Sequence, residues 1–213
     1  TTTLTGDIST TGDDAYGLRL YDSNSNTTNL TGGISTTGDD AAGLYLESSS
    51  NINTTTLTGD ITTTGTNAHG IYSESSDTNT FTVNGNITTN GAGAYAINND
   101  ANSADNTFTL GGVVSGGILN AGTNTVITNT GSIDAITNSG TLTTLTNSGT
   151  LTTLTNTGTL TTLTNTGTLN ALDNSGTLTT FNNDGAVSYS GTLPINFNLI
   201  INSSSDYGQT TFS

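Results

Sequence analysis

The chain of 213 residues has a formal net charge of -15, because 16 acidic residues face a single basic one, and it contains no Cys, Met or Trp. Hydrophobic residues make up 30% and charged residues 8% of the sequence, which are low shares for a globular domain. This composition excludes a disulfide framework and a cysteine nucleophile. It argues against binding to nucleic acid or to an anionic membrane, because both need Lys and Arg, and against a helical domain, because Thr, Asn, Ser and Gly are poor residues for a helix interior.

The first segment, residues 1–117, repeats a glycine-centred unit every 26 or 27 residues. An aliphatic residue stands two positions after each of these glycines, and the set is Ile8, Ile34, Ile61, Ile87 and Val114. Another aliphatic residue, such as Leu4, stands two positions before the glycine, which is the period of a strand with one buried face. One unit cannot bury its apolar face alone, so consecutive units are expected to stack. The segment predicts an all-β parallel β-helix (solenoid) with about three sides per coil.

The second segment, residues 118–187, repeats nine residues with the pattern TLTTLTNTG. Two further core columns are predicted here, one of Leu142, Leu151 and Leu160, and one of Leu145, Leu154 and Leu163. A straight strand cannot bury two residues that are three apart, so Leu142 and Leu145 predict a bend near Thr143-Thr144. The turn preferences of Asn and Gly favour a corner at Asn147-Ser148-Gly149 instead, and the sequence leaves both open.

The length of a coil in the second segment has two interpretations. Three nonapeptides make about 27 residues, as in the first segment, so we predict one three-sided cross-section through both segments. The alternative is a flattened coil of about 18 residues with two nonapeptides per turn. With seven or eight coils at a strand spacing of about 4.8 Å, the rod would be roughly 35–40 Å long. Asn side chains at the corners are expected to stack in ladders.

The third segment, residues 188–213, does not continue the nonapeptide repeat. Ile195, Phe197, Leu199 and Ile201 alternate with polar residues, which predicts a packed terminal β segment. Pro194 stands at its start, where a strand tolerates proline. We expect this segment to lead into the remainder of a longer protein.

Residues 56–72, TLTGDITTTGTNAHGIY, resemble the passenger repeats of bacterial autotransporters, the family of type V secretion. Residues 190–208 resemble the segment near the C-terminal end of such passengers. The resemblance implies a right-handed β-helix, display on the surface of a Gram-negative outer membrane, and a β-barrel translocator in the full-length chain. Many members of the family are adhesins and some carry enzymes, and a β-helix does not decide between these functions.

Two acidic pairs of the first segment are a candidate calcium site. The pair Asp13 and Asp14 stands 26 residues before the pair Asp39 and Asp40, so the two pairs are expected to lie on neighbouring coils. Ca²⁺ prefers oxygen ligands, and it is the only cofactor that the sequence suggests. The other interpretation is a solvated acidic loop, which the replacement of the pair by Thr66-Asn67 on the third coil favours.

Aromatic residues also recur in the first segment, as Tyr16, Tyr21, Tyr45, Tyr72 and Tyr95. An exposed stripe of these rings would bind a glycan or a partner surface, and packing at the coil edge is the alternative. His69 occupies the repeat position of Tyr16 and Tyr95, which predicts a packing or surface role instead of a catalytic or metal-binding one. Arg19 aligns with Tyr45 one coil on, which suggests a cation–π contact.

The leading functional hypothesis is a non-catalytic, surface-displayed β-solenoid that acts as a structural or adhesive scaffold toward a host or environmental surface. One alternative is a filament or surface-layer subunit that self-associates through its open coil ends. Another is ice binding, because the pairs Thr141/Thr143, Thr150/Thr152 and Thr159/Thr161 resemble the arrays of some β-solenoid antifreeze proteins. An enzyme is not expected, because solenoid lyases and hydrolases need clustered carboxylates beside Arg or Lys.

Overall fold

The computed structural model describes residues 1–203 and 207–212, and within these residues it contains β-strands and no helix. The described part therefore has no helix that could span a membrane. Strands of successive coils pair in parallel and in register, as for Ile8 with Ile34 and Leu142 with Leu160. The predicted all-β, parallel β-solenoid is confirmed.

Each coil of the first segment has three strands. The first strands are β1 (Thr2–Leu4), β4 (Thr27–Leu30), β7 (Thr54–Leu57), β10 (Thr80–Val83) and β13 (Thr107–Leu110). The second are β2 (Ile8–Thr10), β5 (Ile34–Thr36), β8 (Ile61–Thr63), β11 (Ile87–Thr89) and β14 (Val113–Ser115). The third are β3 (Leu18–Tyr21), β6 (Leu44–Glu47), β9 (Ile71–Ser73), β12 (Ile97–Asn99) and β15 (Ile118–Asn120). Leu30 pairs with Leu57 and Ile61 with Ile87, so the predicted coil length is confirmed here.

Each coil of the second segment has only two strands. One set continues the sheet of β1, namely β16 (Thr125–Asn129), β18 (Thr141–Asn147), β20 (Thr159–Asn165), β22 (Thr177–Asn183) and β24 (Asn196–Leu199). The other set is β17 (Ser132–Asn138), β19 (Thr150–Asn156), β21 (Thr168–Asn174), β23 (Ala186–Gly191) and β25 (Gln209–Phe212). Leu142 pairs with Leu160 across 18 residues. The prediction that the three-sided cross-section continues was wrong, and the flattened coil of 18 residues is the observed one.

The change of cross-section is made by a short loop. Residues 90–96 separate the second strand from the third in the fourth coil, but only Gly116 and Gly117 do so in the fifth. Both glycines have positive φ, 107° and 74°, which only glycine adopts readily. On the next coil, β17 pairs with β14 through Ser132 and Ile133 and with β15 through residues 136–138. One long strand thus replaces two short sides.

The predicted core columns lie inside the solenoid. Members at most 2% exposed are Ile34, Ile61, Ile87, Val114, Leu142, Leu145, Leu151, Leu154, Leu160 and Leu163. Ile8 is only half-buried because its coil has a neighbour on one side. Leu142 and Leu145 both point inward within β18 while Thr143 is exposed, so the strand bends at Thr143-Thr144 as predicted. The chain crosses to the other sheet at Ser148 and Gly149.

The third segment continues the solenoid but is less well packed than predicted. Phe197 pairs with Phe181 and packs against the core. Ile195 and Ile201 are 71% and 73% exposed, because no described coil covers this end. Residues 204–206 and 213 of the segment lie outside the described residues. The ten strands of the sheet that begins with β1 give a rod roughly 43 Å long, longer than predicted, because a coil with two strands uses fewer residues per step.

Candidate functional site

The outer face of the ten-stranded sheet consists mostly of threonine, and we call it the threonine face. Each of its strands from β4 onward presents two outward residues that flank one inward residue, as Thr54 and Thr56 flank Thr55. One column is Thr27, Thr54, Thr80, Thr107, Val126, Thr144, Thr162, Thr180 and Asn196. The other is Thr3, Asn29, Thr56, Thr82, Thr109, Thr128, Thr146, Thr164, Asn182 and Asn198.

The threonine face carries no charge. No strand of the ten-stranded sheet contains Asp, Glu, Lys, Arg or His, although the chain has 16 acidic residues. The other outer surfaces do carry acids, for example Asp134 on β17 and Asp173 on β21. The two sides of the flattened rod therefore differ in electrostatic character.

The threonine pairs that form this face differ in part from the predicted ones. On β18 the predicted pair Thr141/Thr143 flanks the inward Leu142, and a further pair, Thr144 and Thr146, flanks Leu145 beyond the bend at Thr143-Thr144. The predicted pair Thr150/Thr152 lies on β19, in the opposite sheet. Successive nonapeptides alternate between the two sheets, so Thr141/Thr143 and Thr159/Thr161 lie on the ten-stranded sheet and Thr150/Thr152 does not.

A second surface feature is an aromatic column that crosses the first four coils. The ring centroids of Tyr16 and Tyr45 are 4.6 Å apart, and those of Tyr45 and Tyr72 are 5.1 Å apart and nearly parallel. His69 lies 5.0 Å from Tyr72 and 5.9 Å from Tyr95. The rings thus pack along the coil edge, and Tyr21, 60% exposed, contributes no ring-to-ring contact to the column.

The column borders a cleft of about 390 Å³ next to Ala42. Ala42 stands on the second coil where its neighbours have Tyr16 and His69, so a ring is missing at that level. Carboxylates of Asp14, Asp40 and Glu74 line the cleft together with the rings. The cleft is a feature that sequence reasoning missed, although the alanine in a repeat position otherwise held by Tyr or His was its signal.

The phenol groups of the cleft are protonated at neutral pH. Tyr45 donates its hydroxyl hydrogen to the Glu74 carboxylate, and burial together with this bond raises the pKa of Tyr45. Burial and the nearby Glu74 carboxylate raise the pKa of Tyr72 to about 12. The cleft therefore offers hydroxyl donors beside carboxylate acceptors.

His69 is a packing residue, as the repeat predicted. It is 8% exposed, and its Nδ1 accepts a hydrogen bond of 3.0 Å from the backbone N–H of Tyr95. The side-chain amide of Asn98 lies 3.0 Å from Nε2. Burial lowers the pKa of His69 to about 4, so the ring is neutral at neutral pH.

Arg19 contacts different rings from the one predicted. It pairs with Tyr45 in strand register, but its guanidinium carbon lies 5.6 Å and 5.0 Å from the ring centroids of Tyr16 and Tyr21. Its Nε also forms an ion pair with Glu47. The guanidinium therefore contacts residues of the first coil, to which Arg19 belongs, and of the second coil.

The acidic pairs have structural roles at the coil corners. Oδ1 of Asp13 accepts the backbone N–H of Asp39 at 3.0 Å, and Oδ1 of Asp39 accepts that of Thr66 at 2.7 Å. Asp14 and Asp40 both have a φ of 54°, a conformation that Asp and Asn tolerate better than most residues. Within residues 1–203 and 207–212, no three His, Cys, Asp or Glu side chains are grouped closely enough to hold a metal ion. The calcium site stays a prediction.

The comparisons with known proteins add no family assignment to these surfaces. No family model, no curated protein and no solved structure matches the chain.

Proposed function

We propose that the chain is a non-catalytic adhesive scaffold, part of an autotransporter passenger displayed on a Gram-negative cell. The parallel β-solenoid supports this proposal because its coils hold a rigid rod by their own backbone and side-chain bonds. The resemblance of residues 56–72 to passenger repeats supports the route to the cell surface. The chain has a net charge of -15 and Arg19 as its single basic residue, and this acidic balance disfavours attachment to anionic surfaces.

The aromatic cleft beside Ala42 is the observation that carries the adhesive role. Concave sites that bind small polar ligands combine apolar walls with a few convergent polar groups. Here Tyr16, Tyr45 and Tyr72 supply ring surface, and Asp14 and Asp40 supply exposed hydrogen-bond acceptors. This chemistry fits the hydroxyl groups and C–H faces of a sugar. The carboxylates would repel a sialylated or sulfated glycan, so we propose a neutral or amino sugar as the ligand.

A scaffold role fits these carboxylates better than catalysis. A glycosidase needs one carboxylic acid whose pKa is raised in a dry site beside a second, ionised carboxylate. Asp14 and Asp40 are exposed to solvent at the rim of the cleft. They are therefore placed to hold a ligand by hydrogen bonds.

A glycan array probed with the purified chain tests the proposal. Ala42→Tyr fills the cleft with the ring that neighbouring coils carry, and it should abolish binding to neutral or amino sugars. Ser35→Tyr is the matched control, because Ser35 is an exposed residue of the same coil outside the cleft, and it should leave binding unchanged. Failure of the wild-type chain to bind any such sugar, or equal binding by Ala42→Tyr, would contradict the proposal.

Self-association is a second candidate, favoured by apolar side chains exposed on the last coil. Leu193, Ile195, Ile201 and Phe212 are 56–73% exposed. The first described coil has three strands and the last described coil has two, so the sheets of these two coils do not match strand for strand. The contact that fits is between the last coils of two copies.

Sedimentation over a range of concentrations tests the second candidate. Ile195→Asp should convert a dimer into a monomer. Ile52→Asp, which changes an isoleucine 61% exposed at a distant corner, should leave the dimer intact. A wild-type chain that is monomeric at all concentrations would remove this candidate.

A further inference from the structure

The geometry points to a second binding surface, and we propose that the threonine face binds ice. This activity goes beyond the adhesive role, and it uses a different surface from the cleft. The cleft lies beside Ala42, between β5 and β6, and none of its lining residues belongs to the ten-stranded sheet that forms the threonine face.

The threonine face is regular in two directions. Strands of one sheet lie about 4.8 Å apart, and outward residues of one strand recur about every 6.6 Å. The paired positions follow each other without a register shift from Thr27 and Asn29 to Val126 and Thr128, and then to Asn196 and Asn198. The shift recorded between β16 and β18 falls before Val126. The change from three-sided to two-sided coils therefore leaves this face uninterrupted.

The side chain at most positions of the face is suited to binding ordered water. A threonine offers one hydroxyl and one methyl group, and its branched Cβ restricts the side-chain rotamer. Rows of such residues hold hydroxyls at fixed spacings, where each can bind a water molecule by donating and accepting hydrogen bonds. The non-threonine positions are Val126 and the asparagines 29, 182, 196 and 198, which are also uncharged.

The threonine face lacks the features by which proteins and small ligands are bound. Interfaces with proteins rely on Trp, Tyr and Arg anchors, and small ligands need a concave site. The two columns contain no aromatic or charged residue. A periodic, uncharged row of hydroxyls and methyls matches a ligand that is itself a periodic lattice of hydrogen-bonding groups, and crystalline water is such a ligand.

Ice binding is tested with the full chain by thermal hysteresis and by partition into a growing ice hemisphere. We expect the folded wild-type chain to show hysteresis, to shape ice crystals and to enter the ice. Thr162→Tyr places a bulky ring on the face and should abolish both signals. Thr153→Tyr is the matched control, because Thr153 has the equivalent position of the nonapeptide nine residues earlier, on the opposite sheet, and it should keep both.

Circular dichroism and melting temperature establish that both variants are folded. The proposal is overturned if the folded wild-type chain shows neither hysteresis nor partition into ice, or if Thr153→Tyr loses activity as fully as Thr162→Tyr. A dimer that Thr162→Tyr dissociates and Thr153→Tyr does not would assign the face to a second copy of the chain, and would also overturn it.

Discussion

The side chain of Asn129 donates a hydrogen bond of 2.7 Å from Nδ2 to Oδ1 of Asn147 on the next coil, and both residues are fully buried. The same bond continues from Asn147 to Asn165 at 2.7 Å and from Asn165 to Asn183 at 2.9 Å. Asn129 Nδ2 also donates to the backbone carbonyl of Thr150 beyond the corner. A parallel ladder runs through Asn120, Asn138, Asn156 and Asn174 in the other sheet. The predicted Asn ladders are confirmed, and they join coil to coil at every corner of the second segment.

Removing one member of a ladder should cost substantial stability. Asn147→Ala deletes the bonds of Asn147 and removes one of the two acceptors of the buried Asn129 amide, so we expect the free energy of unfolding to fall by about 2–4 kcal/mol. Asn182→Ala is the control, because Asn182 is an outward residue that donates to Thr164 Oγ1 at 3.3 Å and accepts from Asn198 Nδ2 at 2.8 Å outside the core, and it should cost less than about 1 kcal/mol. Urea denaturation measures both, and equal losses would show that the ladder adds no stability.

Replacing one buried hydroxyl should stabilise the protein. Thr55 is 1% exposed, and among the described residues its Oγ1 has no hydrogen-bond partner. Thr55→Val removes this unsatisfied group at equal shape, so we expect the free energy of unfolding to rise by about 1 kcal/mol. Thr63→Val is the opposite case, because Thr63 Oγ1 donates to the carbonyl of Ala68, and it should destabilise the chain. A loss of stability in Thr55→Val would contradict the argument.

His69 should make stability depend on pH. Its folded pKa of about 4 lies below the pKa of about 6.5 that it has when unfolded. Stability is therefore fully present above pH 6.5 and is lost as the pH falls toward 4, because the unfolded chain then binds the proton more readily. We expect the melting temperature of His69→Tyr to fall less between pH 7 and pH 5 than that of the wild-type chain. A parallel fall in both proteins would contradict the assignment.

Asp39 distinguishes a capping role from a calcium site. Asp39→Asn keeps the oxygen that accepts the Thr66 N–H, so it should retain wild-type stability, whereas Asp39→Ala should lose about 1 kcal/mol. We expect the wild-type melting temperature to be the same in calcium and in EDTA. A rise in calcium that Asp39→Asn abolishes would instead establish Asp13, Asp14, Asp39 and Asp40 as a metal site.

The change of cross-section should depend on one glycine. A Cβ at Gly116 would lie 1.8 Å from Oγ1 of Thr89, and the residue has a φ of 107°. We expect Gly116→Ala to lower the free energy of unfolding by about 2 kcal/mol or more. Gly6→Ala is the control, because a Cβ at Gly6 meets no atom within 4 Å. Similar melting temperatures for the two variants would show that the loop tolerates a side chain.

Some features of the core and of the surface could be predicted from the repeat, and others could not. The positions of Ile61 and Leu151 in the core and the slot of His69 beside Tyr95 could be predicted, because residues at one repeat position meet on neighbouring coils. The cleft at Ala42 was missed, although the alanine at a repeat position otherwise held by Tyr or His was a sequence signal for it. The pairing of Thr144 with Thr146 could not be predicted without knowing on which side of the bend each residue lies.

The sequence by itself determined that the chain is a stacked parallel β-solenoid, because the recurrence of Leu and Ile at fixed repeat positions leaves no other way to bury them together. Only the tertiary structure decided how many nonapeptides close one coil. Coils of two or three nonapeptides bring equivalent residues into register equally well, so Leu142 meets a leucine of the same repeat position in either case. The choice depends on how many strands close around the core, and the two-glycine loop at Gly116 and Gly117 sets that number.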